Sequence, residues 1–156
     1  MKNLSFFLFV FLLLLDAGQV LAQTKLTGTS FFVNLGNELN TTSNETSITH
    51  STLTGMTVTD DPNSVFNKSS IYCRGIGLTS TGQSAPRSCN VCDVTDKDGD
   101  VFMYYSESSD NMKSIVRLIS GTGKFKTLEG EGTAWVTGGT ADGKAVFKWE
   151  INYIMD

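Results

Sequence analysis

Three cysteines carry the most reactive side chains in the chain: Cys73, Cys89 and Cys92. The last two have a CxxC spacing, which in a cytosolic βαβ unit would indicate redox chemistry. Here the segment alternates like a β-strand, so residues three apart point to opposite faces, and no helix pattern begins that would lower a thiol pKa. A structural zinc site needs a tetrahedral ligand set in paired spacings, which these cysteines and the single histidine do not supply. We therefore expect one structural disulfide and one spare thiol.

His50 is the only histidine, which excludes any catalytic design that needs two. A Ser-His-Asp triad would use it as the base, but no nucleophile-elbow sequence occurs in the chain. We expect a strand histidine that faces solvent or a barrel mouth. The alternative is a pH-sensitive or general-base group in a pocket. The sequence therefore identifies no catalytic residue, and whether the protein is an enzyme stays open.

The acidic segment DKDGD at residues 96–100 resembles the first half of a calcium-binding loop. Calcium takes about six to eight oxygen ligands, and Glu107 falls where an EF-hand carries its bidentate glutamate. The position that requires a glycine for the sharp turn is Val101, however, and the apolar residues of a strand follow it. We therefore predict a hairpin turn and no metal site, with a weak calcium site as the alternative.

Aromatic residues in the second half of the chain could line a cavity for an apolar ligand. Small barrels either hold one small ligand or fill with side chains. Tyr105 and Phe125 belong to the same aromatic set. The alternative is that these rings pack as core without a cavity, and nothing in the sequence requires a cofactor. The candidate lining residues are Phe102, Tyr104, Phe147, Trp149 and Tyr153.

The N-terminal segment indicates where these residues must work. Lys2 precedes an unbroken apolar run at residues 6–15, and residues 20–22 fit the positions that a signal peptidase reads. The run is too short to span a bilayer, which takes roughly 20 residues. We predict a cleaved signal peptide at residues 1–22, a single β-barrel domain at residues 23–156, a secreted or periplasmic location, and no stable membrane insertion after cleavage. The alternative is an uncleaved anchor helix.

Charge and composition exclude several classes of partner. The chain has 16 acidic and 12 basic residues and a net charge of −4. Removal of residues 1–22 takes away one lysine and one aspartate, so this charge is unchanged. A nucleic-acid partner is not expected, because such binding needs concentrated positive charge. The same balance weakens the case for binding to anionic membranes.

Short strands separated by glycine-rich turns dominate the pattern of the chain. The clearest strand is at residues 145–153, where period-2 alternation gives one face to Ala145, Phe147, Trp149, Ile151 and Tyr153. The polar stretch at residues 37–45 predicts a loose start to the domain. Seven to nine regularly spaced strands without a helical stripe are typical of an antiparallel barrel or sandwich. Further strands are predicted at residues 30–35, 47–59, 70–79, 88–95, 100–107, 112–119 and 131–137, with Asp-Gly turns at 96–99 and 138–143 and one helical turn at 124–128.

Motifs in the second half resemble those of a known group of proteins. They are CDVTDKDGD at residues 92–100, ISGTGKF at 119–125, LEGEGT at 128–133, Asp142-Gly143 and the closing strand at 149–153. Together they resemble small exported bacterial proteins of largely unassigned function. Those in turn resemble the allene oxide cyclase and dirigent barrels, with a Gly-x-Gly-x-Phe turn before a glycine-rich strand. The resemblance covers roughly half of the chain, from Cys73 to Tyr153.

The resemblance implies an all-β fold, namely an antiparallel eight-stranded calycin-like β-barrel with room for an internal cavity. It also implies that Cys92 pairs with Cys73 across the intervening hairpin and that Cys89 is the odd thiol. A bridge that closes a loop of about 20 residues would stabilise the fold by about 3 kcal/mol. No catalytic residue of the allene oxide cyclase or dirigent enzymes can be matched to this sequence position by position.

Three functions are compatible with these observations. The first is non-catalytic binding of a small, largely apolar molecule inside the barrel. The second is a cyclase- or dirigent-like enzyme that uses the cavity as a mould, since catalysis by positioning needs few polar groups. The third is a structural or partner-binding envelope protein with a filled core. An apolar cavity of roughly 300 Å³ or more favours the first, the same cavity with a convergent carboxylate or histidine favours the second, and no cavity favours the third.

Overall fold

The computed structural model describes residues 23–43, 45–82, 87–108 and 113–156; the predicted signal segment lies outside this range. Eight strands account for most of the described chain, and one single-turn 3-10 helix at Gly123–Phe125 lies between the sixth and the seventh strand. Within the described ranges, no helix has the length and apolar character to cross a membrane. The strands are β1 Thr24–Ser43, β2 Thr46–Thr59, β3 Ser69–Ser80, β4 Arg87–Thr95, β5 Val101–Ser108, β6 Lys113–Gly121, β7 Glu129–Gly139 and β8 Lys144–Ile154.

The eight strands form one closed barrel in which each strand pairs with its neighbours in sequence, and β8 returns to pair with β1. Every pairing is antiparallel. Closure leaves the paired parts of the sheet without an exposed edge. The predicted all-β, antiparallel eight-stranded barrel is confirmed, and the sandwich alternative is wrong.

Side chains alternate between the barrel interior and solvent, as a pleated strand requires. In β8, Trp149 is buried while Lys148 is exposed, so the face predicted for this strand points inward. In β3, the buried residues are Ser69, Ile71, Cys73 and Gly75, and the exposed residues between them are Ser70, Tyr72, Arg74 and Ile76. This alternation gives the barrel an interior that is mostly apolar.

The polar stretch at residues 37–45 departs from the prediction of a loose start. β1 continues to Ser43, and its distal part pairs with β2 through partners such as Glu38 with His50. Pairing of β1 with β8 ends at Val33. Beyond that residue β1 pairs with β2 alone, and the two form a hairpin extension whose two faces meet solvent. Pairing with β2 satisfies the N–H and C=O groups along one edge of this segment whatever its side chains are, and the groups along the other edge face water. Because residues 35–40 are all exposed, the segment does not need the alternation of apolar and polar residues from which a strand is predicted.

One end of the barrel, called the closed end here, is sealed by residues from two connections. Phe66, in the β2–β3 connection, packs its ring 5.3 Å from that of Phe102 and 5.0 Å from that of Tyr153. Phe125 comes from the 3-10 helix, which confirms the predicted helical turn, and Leu128 follows it; both are completely buried. These side chains form a solid floor beneath the interior.

Candidate functional site

A cavity of about 270 Å³ fills the barrel above the closed end. Its volume lies just below the roughly 300 Å³ at which small-molecule sites begin. The five residues predicted as ligand-binding lie in its wall, their role in binding stays a prediction, and further apolar side chains complete the wall. The predicted lining residues are Phe102, Tyr104, Phe147, Trp149 and Tyr153; the principal additional apolar residues are Leu26, Phe32, Leu53, Phe66, Ile71, Val94, Val116, Leu118 and Ile151.

Aromatic rings form the part of the wall contributed by β1 and β8. Phe32 and Phe147 meet edge to face, with ring centroids 5.5 Å apart. Trp149 lies beside them in β8, paired with Gly28 of β1. Edge-to-face geometry brings the positive edge of one ring to the negative face of the other, so the pair holds its arrangement beyond simple burial. The wall here is aromatic and apolar.

Trp149 has its polar atom satisfied within the wall. Its Nε1–H lies 3.1 Å from Ser30 Oγ and 3.2 Å from Thr57 Oγ1. Ser30 Oγ lies 3.1 Å from Thr57 Oγ1, and both residues are buried. A buried indole N–H that lacks a partner would cost free energy. These two hydroxyls therefore fix the indole orientation and leave its apolar surface toward the cavity.

Tyr104 lies in the opposite part of the wall, on β5. Its hydroxyl lies 3.7 Å from Cys73 Sγ, which belongs to the disulfide with Cys92. Burial raises the pKa of the Tyr104 phenol, so it stays protonated. The predicted disulfide is confirmed, and it lines the cavity between β3 and β4.

The end of the cavity away from the floor, called the polar end here, is lined by hydroxyl and amide groups. Asn90 Nδ2 donates to Ser106 Oγ at 3.4 Å, linking β4 to β5. Among the described lining residues there is no carboxylate and no imidazole, and Lys113 is the sole charged residue. The polar lining residues at this end are Ser88, Asn90, Ser106, Ser108, Lys113 and Ser114.

Two members of the predicted aromatic set lie outside the cavity. Tyr105 faces outward, and its hydroxyl donates to Glu107 Oε2 at 3.1 Å. Phe125 is part of the floor and is not among the residues that line the cavity. His50 is exposed on the hairpin extension, opposite Glu38, as expected for a strand histidine. Cys89 is the free thiol, and it lies on the opposite face of β4 from Cys92, as predicted.

The acidic segment at residues 96–100 forms the predicted hairpin turn. Asp96 Oδ1 accepts the backbone N–H groups of Asp98 and Asp100, both at 2.9 Å. The ammonium of Lys124 contacts Asp96 Oδ2 and lies 2.7 Å from Asp98 Oδ2. Within the described ranges, no group of side chains is arranged to hold a metal ion. A side-chain cation therefore lies where the calcium alternative would have required a metal.

Several lining residues were missed because the sequence carries a weak signal for them. Phe31, Phe32 and Val33 are all apolar, so alternation cannot choose a face; the structure buries Phe32 to 7% exposure and leaves Phe31 at 50%. Phe66 lies in a connection without periodicity. Ser30 and Thr57 are polar residues that point inward, which the binary pattern does not predict. Their inward orientation is explained by their hydrogen bonds with the indole N–H of Trp149.

Comparison with solved structures identifies the same barrel in two dirigent proteins. The structure of the pterocarpan synthase dirigent protein PsPTS1 has a TM-score of 0.55 and 15% identity, covering 86% of this chain and 96% of that one. The structure of the pterocarpan synthase dirigent protein GePTS1 has a TM-score of 0.53 and 15% identity, covering 86% of each chain. No family model and no curated protein matches the sequence. At this identity the likeness shows a shared fold.

Proposed function

We propose that the barrel binds a small, largely apolar molecule in its interior. The observation that carries this proposal is the cavity of about 270 Å³, sealed below by aromatic rings and lined mainly by apolar side chains. Ligand sites are typically concave and apolar, with a few polar groups that fix orientation. Tyr104 and the hydroxyls of the polar end are such groups. A filled core, as the structural or envelope alternative requires, would leave no such space.

A dirigent-like enzyme is the second candidate, because the structures of similar fold are those of pterocarpan synthase dirigent proteins. Catalysis by positioning a reactive substrate needs few polar groups. General acid–base catalysis most often uses a histidine or a carboxylate, and a tyrosine or lysine can also serve. Tyr104, Tyr153 and Lys113 are the described lining residues of these types, and they are the groups that an enzymatic function would assign to proton transfer.

We also propose that the protein works after export, in a secreted or periplasmic location. The Cys73–Cys92 disulfide supports this, because disulfides persist in oxidising compartments. The signal peptide at residues 1–22 and the likeness to exported bacterial proteins remain predictions from the sequence. N-terminal sequencing of the protein isolated from its source would test the cleavage: a chain that begins at Gln23 is expected, and one that retains residues 1–22 would contradict it.

Native mass spectrometry of the purified mature protein tests interior binding. A co-purifying small molecule, released on unfolding, is the expected result. Re-addition of the released molecule, with chromatography and NMR of what is recovered, distinguishes the two candidates, because a binder returns the same compound and an enzyme acting on it returns a different one, even where a cyclisation leaves the mass unchanged. Protein that carries no molecule and takes up none from a panel of apolar compounds would contradict the proposal.

A matched pair of variants shows whether binding is inside the barrel. Ala134 lines the cavity, so Ala134→Phe places a ring in the space and is expected to abolish uptake. Ile115 is 54% exposed on the outer face of β6, so Ile115→Phe adds a ring outside and is expected to leave uptake unchanged. Equal uptake by the two variants would place the bound molecule elsewhere.

A further inference from the structure

Unlike the indole N–H of Trp149, the Tyr104 hydroxyl has only a weak hydrogen-bond partner. The Trp149 N–H has two hydroxyl oxygens within 3.2 Å. The Tyr104 hydroxyl has Cys73 Sγ at 3.7 Å, and among the described residues no oxygen or nitrogen accepts its hydrogen. That sulfur belongs to a disulfide and carries no hydrogen, so the phenol must be the donor. Sulfur is a weak acceptor.

The described wall residues next to Tyr104 form no stronger hydrogen bond with its hydroxyl. On one side its partner across the sheet is Leu118, and on the other it is Cys92. The next inward residues toward the polar end are Ser106 and Asn90, which bond to each other. The hydrogen bond to a disulfide sulfur is weak, so a stronger acceptor would stabilise this phenol further. The missing group is therefore an acceptor, and the cavity is the place from which it can come.

We infer that Tyr104 determines ligand specificity by donating a hydrogen bond to a carbonyl oxygen of an otherwise apolar molecule. A carbonyl accepts without bringing a second donor that would need its own partner in the wall. The body of the molecule lies against the rings of Phe147 and Trp149, which line the same cavity. The described lining holds no carboxylate that could form an ion pair with a cationic ligand. This inference rests on the interior binding proposed above.

The test uses two probes that share one carbon skeleton: 1-tetralone, a bicyclic ketone, and tetralin, its hydrocarbon. Each is titrated calorimetrically into the full mature protein, into Tyr104→Phe and into Tyr105→Phe. Tyr105→Phe is the matched control, since it removes a phenolic hydroxyl that faces outward toward Glu107. The carbonyl stretching band of bound 1-tetralone provides a second readout, because hydrogen bonding to the oxygen lowers its frequency.

Tyr104→Phe is expected to weaken 1-tetralone binding about threefold to tenfold, as expected for one net hydrogen bond, and to leave tetralin binding unchanged. The carbonyl band is expected at a lower frequency in the unmodified protein than in Tyr104→Phe, and Tyr105→Phe is expected to match the unmodified protein. Equal effects on both probes, or an unshifted band, would overturn the role of Tyr104 while interior binding stands. If neither probe binds the unmodified protein, interior binding fails, and the inference fails with it.

Discussion

The indole ring of Trp149 occupies the space beside Gly28 where any other residue would carry a side chain. A Cβ atom at residue 28 would come within 2.4 Å of Trp149 Cζ2 and within 2.6 Å of the backbone oxygen of Val58. These distances are far below an ordinary van der Waals contact. The aromatic wall of the cavity therefore depends on a glycine in the strand next to it.

Gly28→Ala is expected to lower the free energy of unfolding by about 2–3 kcal/mol, because overpacking a filled interior forces side chains and backbone to shift. Gly36→Ala is the matched control in the same strand, since a Cβ there meets nothing within 4 Å. It should change the stability by less than about 0.5 kcal/mol. Urea unfolding of the two variants measures the difference, and equal midpoints would refute the role of the Gly28–Trp149 contact.

Phe66 closes the barrel, so Phe66→Ala should cost about 3–5 kcal/mol by leaving a hole among three other rings. The neighbouring Val65 is 37% exposed, and Val65→Ala is expected to cost less than about 1 kcal/mol. Thermal and urea unfolding compare the two variants. Similar losses at both positions would mean that the closed end is not sealed by Phe66.

The disulfide should contribute about 3 kcal/mol to stability, since it closes a loop between residues 19 apart in sequence. The double variant Cys73→Ser/Cys92→Ser is expected to show this loss, whereas Cys89→Ser should remain within about 0.5 kcal/mol of the unmodified protein. A thiol titration under denaturing, non-reducing conditions is expected to find one free thiol per chain. Three thiols would contradict the bridge.

Lys124 should make the fold sensitive to acid. Hydrogen bonds from Lys124, and then from Lys97, lower the pKa of Asp98 to about 2. Burial tends to raise the pKa of Asp96, but Lys124 and the backbone N–H groups of Asp98 and Asp100 outweigh it and lower that pKa as well. Both folded-state values lie below the unfolded value of about 4. Their stabilisation is therefore present above about pH 4 and lost as the pH falls toward 2.

Relative to the unmodified protein, Lys124→Met is expected to lose most stability at pH 7, and the loss should shrink as the pH falls through about 2 and the carboxylates become protonated. Lys97 is the matched control, because its side chain is 76% exposed and contacts Asp98 at the surface. Lys97→Met should change stability little at any pH. Unfolding curves at unit pH intervals provide the measurement. Parallel pH profiles for Lys124→Met and the unmodified protein would contradict the ion pair.

The parts of the fold that the sequence predicts are those where polar residues break the apolar pattern. Lys148 and Glu150 mark the outer face of β8, so Phe147, Trp149 and Tyr153 could be assigned to the interior in advance. The turn at residues 96–99 could also be predicted, because an Asp-Gly pair favours a hairpin turn. In the structure Gly99 adopts the left-handed conformation that such a turn requires.

Other parts depend on contacts that no local pattern encodes. Lys124 reaches two aspartates of a turn that precedes it by more than 20 residues, and that pairing exists only after β5 and β6 have folded together. Phe66 belongs to a connection whose sequence carries no period. The volume of the cavity follows from how side chains of all eight strands meet, so the sequence could identify five lining residues without giving the size of the space they enclose.

The disulfide ties β3 to β4 within the wall, so these two strands cannot separate sideways while the bond is intact. β6 and β7 pair over a shorter stretch than β3 and β4, from Lys113 opposite Trp135 to Leu118 opposite Gly130, and backbone hydrogen bonds and side-chain packing, rather than a disulfide, hold them together. Resistance to lateral opening is therefore uneven around the circumference.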